Sequence, residues 1–272
     1  MRGRRSTWVI PVAIGALVAT LGVVSGSVAT LAATSPPAST DASAVTHWNE
    51  VAVTTLNAVP GPNGGAPPAF QINMGMVQGA VYDAVNAIGP KKYQPYLLDR
   101  RTGARASIDA AVATAAYDVL SELVNTAPET APFPGRAGLL ATLSNENKAA
   151  LDAIAGNSAK KEGIKIGHAA AKAMHDARKD DGRFGPSQWV PNSAPGHWQP
   201  LTNAAGQPIL DPTPWAGGVK PFLIQSSSQF RSQEPPALGS KQWAAEFNEV
   251  KSLGRIDSAT RTPEQTHRAK AQ

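Results

Sequence analysis

The sequence of 272 residues contains no cysteine and has few aromatic or charged residues. The absence of cysteine excludes disulfide bonds, thiolate-bound zinc, iron–sulfur clusters, a cysteine nucleophile and a lipoprotein anchor. Aromatic residues make up 6% of the chain, and charged residues make up 17%, against about 25% in typical soluble proteins. Alanine, glycine and proline dominate instead. This composition favours helices of small residues interrupted by turns, in one large domain or two small ones.

The basic excess of the chain is concentrated at its amino terminus. Lys and Arg number 25 and Asp and Glu number 20, for a formal net charge of +5. Residues 1–32 contain three of the arginines and no acidic residue, so 22 basic and 20 acidic residues remain in the rest of the chain. A net charge of +2 does not indicate the clustered basic surface that nucleic-acid binding requires. No nucleic-acid partner is therefore predicted.

Residues 1–32 have the pattern of a secretory signal peptide. Arginines at positions 2, 4 and 5 precede an apolar run, Trp8–Val24, and small residues suited to cleavage follow at 27–32. This pattern predicts export, to the outside of the cell or to the cell envelope. An uncleaved membrane anchor stays open as the alternative, although the run is slightly shorter than the ~20 residues of a membrane span.

The next part of the sequence predicts a linker and then a helical domain. Residues 33–45 are small and polar, as in a flexible linker, and residues 46–182 are predicted to form an amino-terminal helical domain. Apolar residues recur at three or four positions within 69–88, and Ser107 is placed to cap a long helix that follows it. A shorter helical pair is predicted over 136–154. A further helix from Ser158 has one stripe made of Ile164, His168, Ala171 and His175.

Residues 183–239 are rich in proline and cannot hold a long helix. Aromatic residues are scattered through this segment, which is not the composition of pure disorder. We expect an extended strap whose aromatic side chains dock onto the helices: Trp189, Trp198, Trp215, Phe222 and Phe230.

Residues 240–272 are predicted to form the start of a truncated helical region. Trp243, Phe247 and Val250 make one apolar stripe on a helix that begins at Ser240. Thr262, Pro263 and Gln265 then give a strong helix-start signal, yet no large apolar residue follows to dock that helix. An uncovered stripe predicts self-association or a partner at Trp243, Phe247 and Val250.

No sequence motif identifies a catalytic, cofactor-binding or metal site. His168 and His175 are about 10 Å apart along a helix, too far to share one ion, and we expect packed or surface side chains. The acidic group Asp176, Asp180 and Asp181 lacks the spacing of a calcium loop, so we expect solvated charges at a helix end. Isolated acids on helices have no readable partner and receive no role: Glu50, Asp83, Asp109 and Asp118.

Several segments in series resemble the exported bacterial vanadium-dependent haloperoxidases, relatives of the type 2 phosphatidic acid phosphatases. The order and spacing of these segments match over residues 46–266: 47–59, 67–88, 93–97, 106–120, 164–182, 195–201, 219–254 and 258–266. The resemblance implies an all-α helical bundle, with a partial haloperoxidase-like architecture. It also implies that these helices support a vanadate site located in a carboxy-terminal half.

The blocks that hold vanadate in that family are absent from this sequence. The family uses a Lys followed by Arg-Pro, then Pro-Ser-Gly-His, then Ser-Arg with a later His, and no Arg-Pro, Pro-Ser-Gly or Ser-Arg occurs here. His197, in Pro195-Gly196-His197, receives no catalytic role because the Ser is missing. We expect a non-catalytic amino-terminal half that needs no cofactor, with vanadate in full-length relatives. An exported helical binding module and a phosphatase of the same superfamily stay open as alternatives.

Overall fold

A computed structural model describes residues 41–61, 64–90, 93–102, 105–128, 133–185 and 192–271, within one compact unit that spans Pro36–Gln272. The predicted signal peptide and residues 33–40 of the predicted linker lie outside the described residues. Among the helices that are described, none is long and apolar enough to cross a membrane.

The described chain is helical, which confirms the all-α class. In the part of the chain that the structure describes, isolated bridges are the only β-structure. A short 3₁₀ helix lies at Pro214–Gly218. The α-helices, in chain order, are α1 (Asp41–Ala58), α2 (Ala69–Asn86), α3 (Ile108–Thr126), α4 (Arg136–Asp152), α5 (Ser158–Arg178), α6 (Lys241–Gly254) and α7 (Pro263–Lys270).

Helix α3 lies at the centre of a five-helix bundle and contacts α1, α2, α4 and α5. Residues 110–116 are buried without interruption, so this part of α3 is enclosed on all sides. A helix that is apolar around its whole circumference is expected to occupy a core. The alanines of this run keep α3 thin enough for four neighbours to approach it.

Glycines on α5 set its close packing against α3. A Cβ atom at Gly163 would lie 2.3 Å from the Ser107 carbonyl oxygen, and one at Gly167 would lie 2.7 Å from the Ala111 carbonyl oxygen. The buried face of α5 is formed by Gly163, Ile166, Gly167, Ala170, Ala171, Met174 and Arg178. The predicted stripe through His168 and His175 is therefore wrong, because the small residues face α3 and His168 is exposed.

Two boundaries differ from the sequence predictions. Helix α1 begins at Asp41, five residues before Thr46, so residues 41–45 of the predicted flexible linker are helical. Ala44 is buried in the core, which explains why the helix extends this far. Helix α4 is one helix over 136–152 and not a helical pair, because no proline or glycine interrupts the chain between Leu139 and Ala155.

The predicted helix starts are confirmed by their caps. The Ser107 side chain accepts a hydrogen bond from the Ala110 amide, and Ser240 accepts one from the Trp243 amide. Thr262 and Gln265 form a reciprocal capping box at the start of α7. Each cap satisfies backbone donors that the first helical turn leaves without an intrahelical partner.

The proline-rich segment contains no α-helix in its described residues, as predicted, and only some of its aromatic side chains dock. Trp215 is buried and makes an edge contact with Phe184, and Phe222 packs against the helical core. Phe230 is 77% exposed, so the docking prediction is wrong for this residue, and Trp198 is 55% exposed. Trp189 lies outside the described residues.

Candidate functional site

A buried cluster of charges forms where α5 ends. Arg178 and Asp181 are 2% and 4% exposed, and Nη2 of Arg178 lies 2.8 Å from Oδ2 of Asp181. Nε of Arg183 lies 3.1 Å from the same carboxylate, and its Nη1 donates to Oδ1 of Asn73 at 2.8 Å. The prediction of solvated charges is confirmed for exposed Asp176 and Asp180. It is wrong for Asp181, because two guanidinium groups enclose this side chain.

This cluster fastens the proline-rich strap to the bundle. Nη1 of Arg178 donates to the Lys220 carbonyl at 2.7 Å, and the Lys220 amide donates to the Asp181 carbonyl at 2.7 Å. The Arg178 guanidinium carbon lies 4.0 Å from the centroid of the Phe222 ring, and the Tyr96 hydroxyl donates to the Phe222 carbonyl at 3.0 Å. The group therefore acts as a structural clamp between α5 and residues 220–222.

No sequence motif predicts a role for either arginine of the clamp. One signal for Arg178 was present, because it follows Ala171 and Met174 at the spacing of one helix face. An arginine on a buried face requires a partner, and Asp181 is the nearest acid along that face. Burial lowers the pKa of Arg183, and neighbouring Asp181 opposes this change. An arginine side chain nevertheless stays protonated in a protein.

Asp83 is a second buried acid with a structural role. Its carboxylate is 1% exposed and accepts hydrogen bonds from the amides of Tyr96, Leu97 and Leu98 at 2.7, 2.7 and 2.9 Å. These bonds fix the turn that brings the Tyr96 ring to Phe222, where the two rings stack with centroids 6.4 Å apart. Burial raises the pKa of the Tyr96 hydroxyl; the Arg178 charge lowers it and the Asp83 charge raises it.

The histidines do not converge on one site. Nδ1 of His168 lies 2.6 Å from Oδ2 of Asp118 across α5 and α3, and Nε2 of His47 lies 3.5 Å from Oε2 of Glu146. His175 lines a separate groove of about 500 Å³ between α3, α4 and α5, together with Asp118 and Glu122. His197 lies in the strap and His267 on α7, and both are exposed. Within the described ranges, no group of three or more His, Asp or Glu side chains is arranged to hold a metal ion.

The described residues do not fit vanadate. An oxyanion of this kind needs cationic donors that converge on it. Arg178 and Arg183 instead face Asp181, and the groove beside His175 is lined by two carboxylates, which repel an anion. We therefore derive no chemical step through vanadate from these residues.

A second groove, of about 600 Å³, lies between the start of α1, α2 and the start of α3. Among the described residues that line this groove, none is Lys, Arg, His, Asp or Glu. Its walls are formed mainly by apolar and aromatic side chains: Val45, Gln78, Val81, Tyr82, Val85, Asn86, Ile88, Gly89, Pro90, Tyr93 and Ile108. Its amides are occupied, since Gln78 donates to Asn49 and Asn86 donates to the Tyr93 carbonyl.

The surface that differs most from that of an ordinary globular domain lies in the carboxy-terminal segment. Beyond Asp181, Thr213 and Trp215 are the buried residues of the described chain. Phe247 and Val250 on α6 are 51% and 70% exposed, and no residue of α6 is buried. Most exposed large apolar side chains belong to this segment: Trp198, Leu201, Ile209, Leu210, Leu223, Ile224, Phe230, Leu238, Phe247, Val250 and Ile256.

The α6 stripe consists of Trp243, Phe247 and Val250. The rings of Trp243 and Phe247 stack with centroids 5.1 Å apart and planes 12° apart, so they form one flat apolar face. The three predicted partner-binding residues thus lie on one side of α6, where Phe247 and Val250 are exposed and Trp243 is half-buried. Comparison of the chain with known family models, curated proteins and solved structures finds no match.

Proposed function

We propose that this chain is the amino-terminal, non-catalytic half of a vanadium-dependent haloperoxidase-type protein. The family reaction is the peroxide-dependent oxidation of a halide, at a vanadate site in a carboxy-terminal half. The ordered sequence segments between residues 46 and 266 support this proposal. In this role the five-helix bundle is a scaffold, and the clamp at Arg178 orients the strap that leads to α6.

The observation that carries the proposal is the exposure of α6. A helix with an apolar stripe obtains most of its stability in a protein by packing that stripe against another element. The extensive helix–helix contacts of the described chain all lie among α1–α5, and Phe247 and Val250 of the stripe on α6 are exposed. A second helical half that packs on α6 would cover this stripe.

The chain is proposed to be catalytically inert by itself. Its sequence lacks the cationic blocks of the family, and the described arginines of the clamp are engaged with Asp181. Purified full-length chain, incubated with vanadate, peroxide and bromide, should oxidise no more bromide than buffer does. Turnover above that background, or vanadate binding measured by calorimetry, would contradict the proposed inertness.

Fragment complementation tests the scaffold role directly. The chain is mixed with the carboxy-terminal half of a bacterial haloperoxidase that carries the three vanadate-binding blocks, and bromide oxidation is measured. We expect activity to appear only in the mixture and Phe247→Glu to reduce it at least tenfold, because the charge would enter the α6 interface. Leu201→Glu is the matched control, since Leu201 is 77% exposed outside α6. A mixture without activity, or equal losses in both variants, would contradict the scaffold role.

The second candidate is an exported, non-enzymatic helical module that binds a partner. The same exposed α6 stripe favours this function, since large uncovered apolar patches mark interaction sites. The coding DNA downstream separates the two candidates. A frame that continues into Arg-Pro and Pro-Ser-Gly-His blocks supports the haloperoxidase half, and a frame without them supports the binding module. Phosphatase activity that His197→Ala abolishes would overturn both candidates in favour of the phosphatase alternative.

A further inference from the structure

We propose that α6 is a dimerisation helix, which pairs in parallel with α6 of a second copy of this chain. The inference concerns the chain alone and does not rest on the haloperoxidase proposal. It follows from three features of α6: the spacing of its apolar residues, the charges on the two sides of these residues, and the exposure of Phe247 and Val250.

The spacing on α6 is that of a helix-pairing seam. Trp243, Phe247, Val250 and Gly254 are separated by four, three and four residues, which is the repeat of a two-stranded coiled coil. The stacked rings of Trp243 and Phe247 already form a flat surface, which limits the side-chain entropy lost on pairing. Gly254 lacks a side chain and permits two backbones to approach at that end.

The charges beside the seam select the partner and its direction. Glu246 and Lys251 lie on opposite sides of the seam and are five residues apart. In a parallel pair, Glu246 of one chain faces Lys251 of the second copy, and the two-fold symmetry produces this attraction twice. In an antiparallel pair, Glu246 faces Glu246 and Lys251 faces Lys251, and both contacts are repulsive. A second copy, oriented in parallel, is therefore complementary to α6.

No described charge within the chain is paired with these two groups. Glu246 accepts a hydrogen bond from Gln242 at 2.9 Å, and neither Glu246 nor Lys251 forms an ion pair with another described residue. Leu238 precedes α6 and Ile256 follows it, and both side chains are exposed. The chain thus presents a self-complementary seam.

The size of the surface predicts a weak dimer. Helix α6 has 14 residues and is about 21 Å long, and a stable interface buries about 800 Å² per partner. A few side chains on one short helix cover less than this. We expect monomer at about 1 µM and mainly dimer at several hundred micromolar, as for interfaces at the small end of the range.

Sedimentation equilibrium of the full chain and charge-reversed variants tests the proposal. Glu246→Lys and Lys251→Glu should each raise the dissociation constant about tenfold, because each replaces two attractive pairs by two repulsive ones. The double variant Glu246→Lys/Lys251→Glu restores opposite charges, and its dissociation constant should return to within about threefold of the original. Val250→Asp should abolish the dimer.

Leu201→Asp is the matched control and should leave the dissociation constant unchanged. Because α6 contributes no buried residue, all variants should retain the far-ultraviolet circular dichroism spectrum and the urea midpoint of the parent chain. A chain that stays monomeric at several hundred micromolar would overturn the proposal, as would single charge reversals without effect. Either result is independent of fragment complementation, which is measured at low concentration with a different partner.

Discussion

We expect replacement of glycine by alanine to change the stability of the chain in opposite directions at Gly167 and Gly138, because only Gly167 packs against α3. At Gly167 on α5, a Cβ atom would lie 2.6 Å from Cβ of Thr114, 2.7 Å from the Ala111 carbonyl oxygen and 2.9 Å from the Ala115 amide nitrogen. Two of these atoms belong to the backbone of α3 and cannot rotate away. At Gly138 on α4, no atom lies within 4 Å of the same position.

The magnitudes follow from two opposing effects. Replacing a helical glycine by alanine stabilises a helix by about 1 kcal/mol in its interior and by less near its end. Overpacking a core costs about 1–3 kcal/mol, and contact with rigid backbone places Gly167→Ala at the upper end of this range. We therefore expect Gly167→Ala to lower the free energy of unfolding by about 2 kcal/mol. Gly138→Ala should raise it by about 0.5 kcal/mol.

Urea unfolding of the full chain, followed by circular dichroism at the helical minimum, measures both changes. At an m value of 2–3 kcal/mol/M, a difference of about 2.5 kcal/mol separates the two unfolding midpoints by roughly 1 M urea. Gly138→Ala serves as the control for the helix propensity of alanine. Equal midpoints for the two variants would show that α5 does not pack on α3 at the distance described here.

Two further predictions concern the clamp and its surroundings. Arg178→Met should lower the free energy of unfolding by about 3 kcal/mol and speed proteolysis within 192–239, because Asp181 loses a buried partner and the strap loses its bond at Lys220. The exposed Arg255 pairs with Asp257, and Arg255→Met should change stability by less than about 1 kcal/mol; equal effects would refute the clamp. Burial raises the pKa of Tyr96 above its ordinary 10.0, so the unfolded chain releases this proton first. The contribution of the neutral Tyr96 hydroxyl to the free energy of unfolding is complete below pH 10 and is lost as pH rises through the folded-state pKa. The Tyr96→Phe variant should therefore lose less stability than the parent chain at alkaline pH. An unchanged dependence of stability on pH would contradict this.

Local sequence signals predicted the helical class and several helix starts. The caps at Ser107, Ser240 and Thr262 depend on atoms within three residues of each other. The neighbouring residues in the sequence are therefore enough to predict them. The absence of a long helix in the proline-rich segment follows from the missing amide donors of proline. The α6 stripe was also readable, because it depends only on helical spacing.

Burial could not be read in the same way, because it depends on what a helix face meets elsewhere in the chain. The side of α5 that carries His168 looks no less amphipathic in sequence than the side that carries Gly167, yet the space beside α3 admits only the glycine side. Asp181 resembles its exposed neighbour Asp180 until Arg178, Arg183 and the Lys220 backbone enclose it.

The sequence by itself determined where most helices begin, where proline excludes them, and that α6 carries an apolar stripe. Only the tertiary structure decided that Arg178 and Asp181 form a buried clamp, that Phe222 docks while Phe230 does not, and that Trp243 is half-buried while Phe247 and Val250 are exposed. The physical reason is the separation along the chain between the atoms that interact. Caps and helical turns join atoms a few residues apart, whereas burial and charge pairing join surfaces brought together from distant parts of the chain.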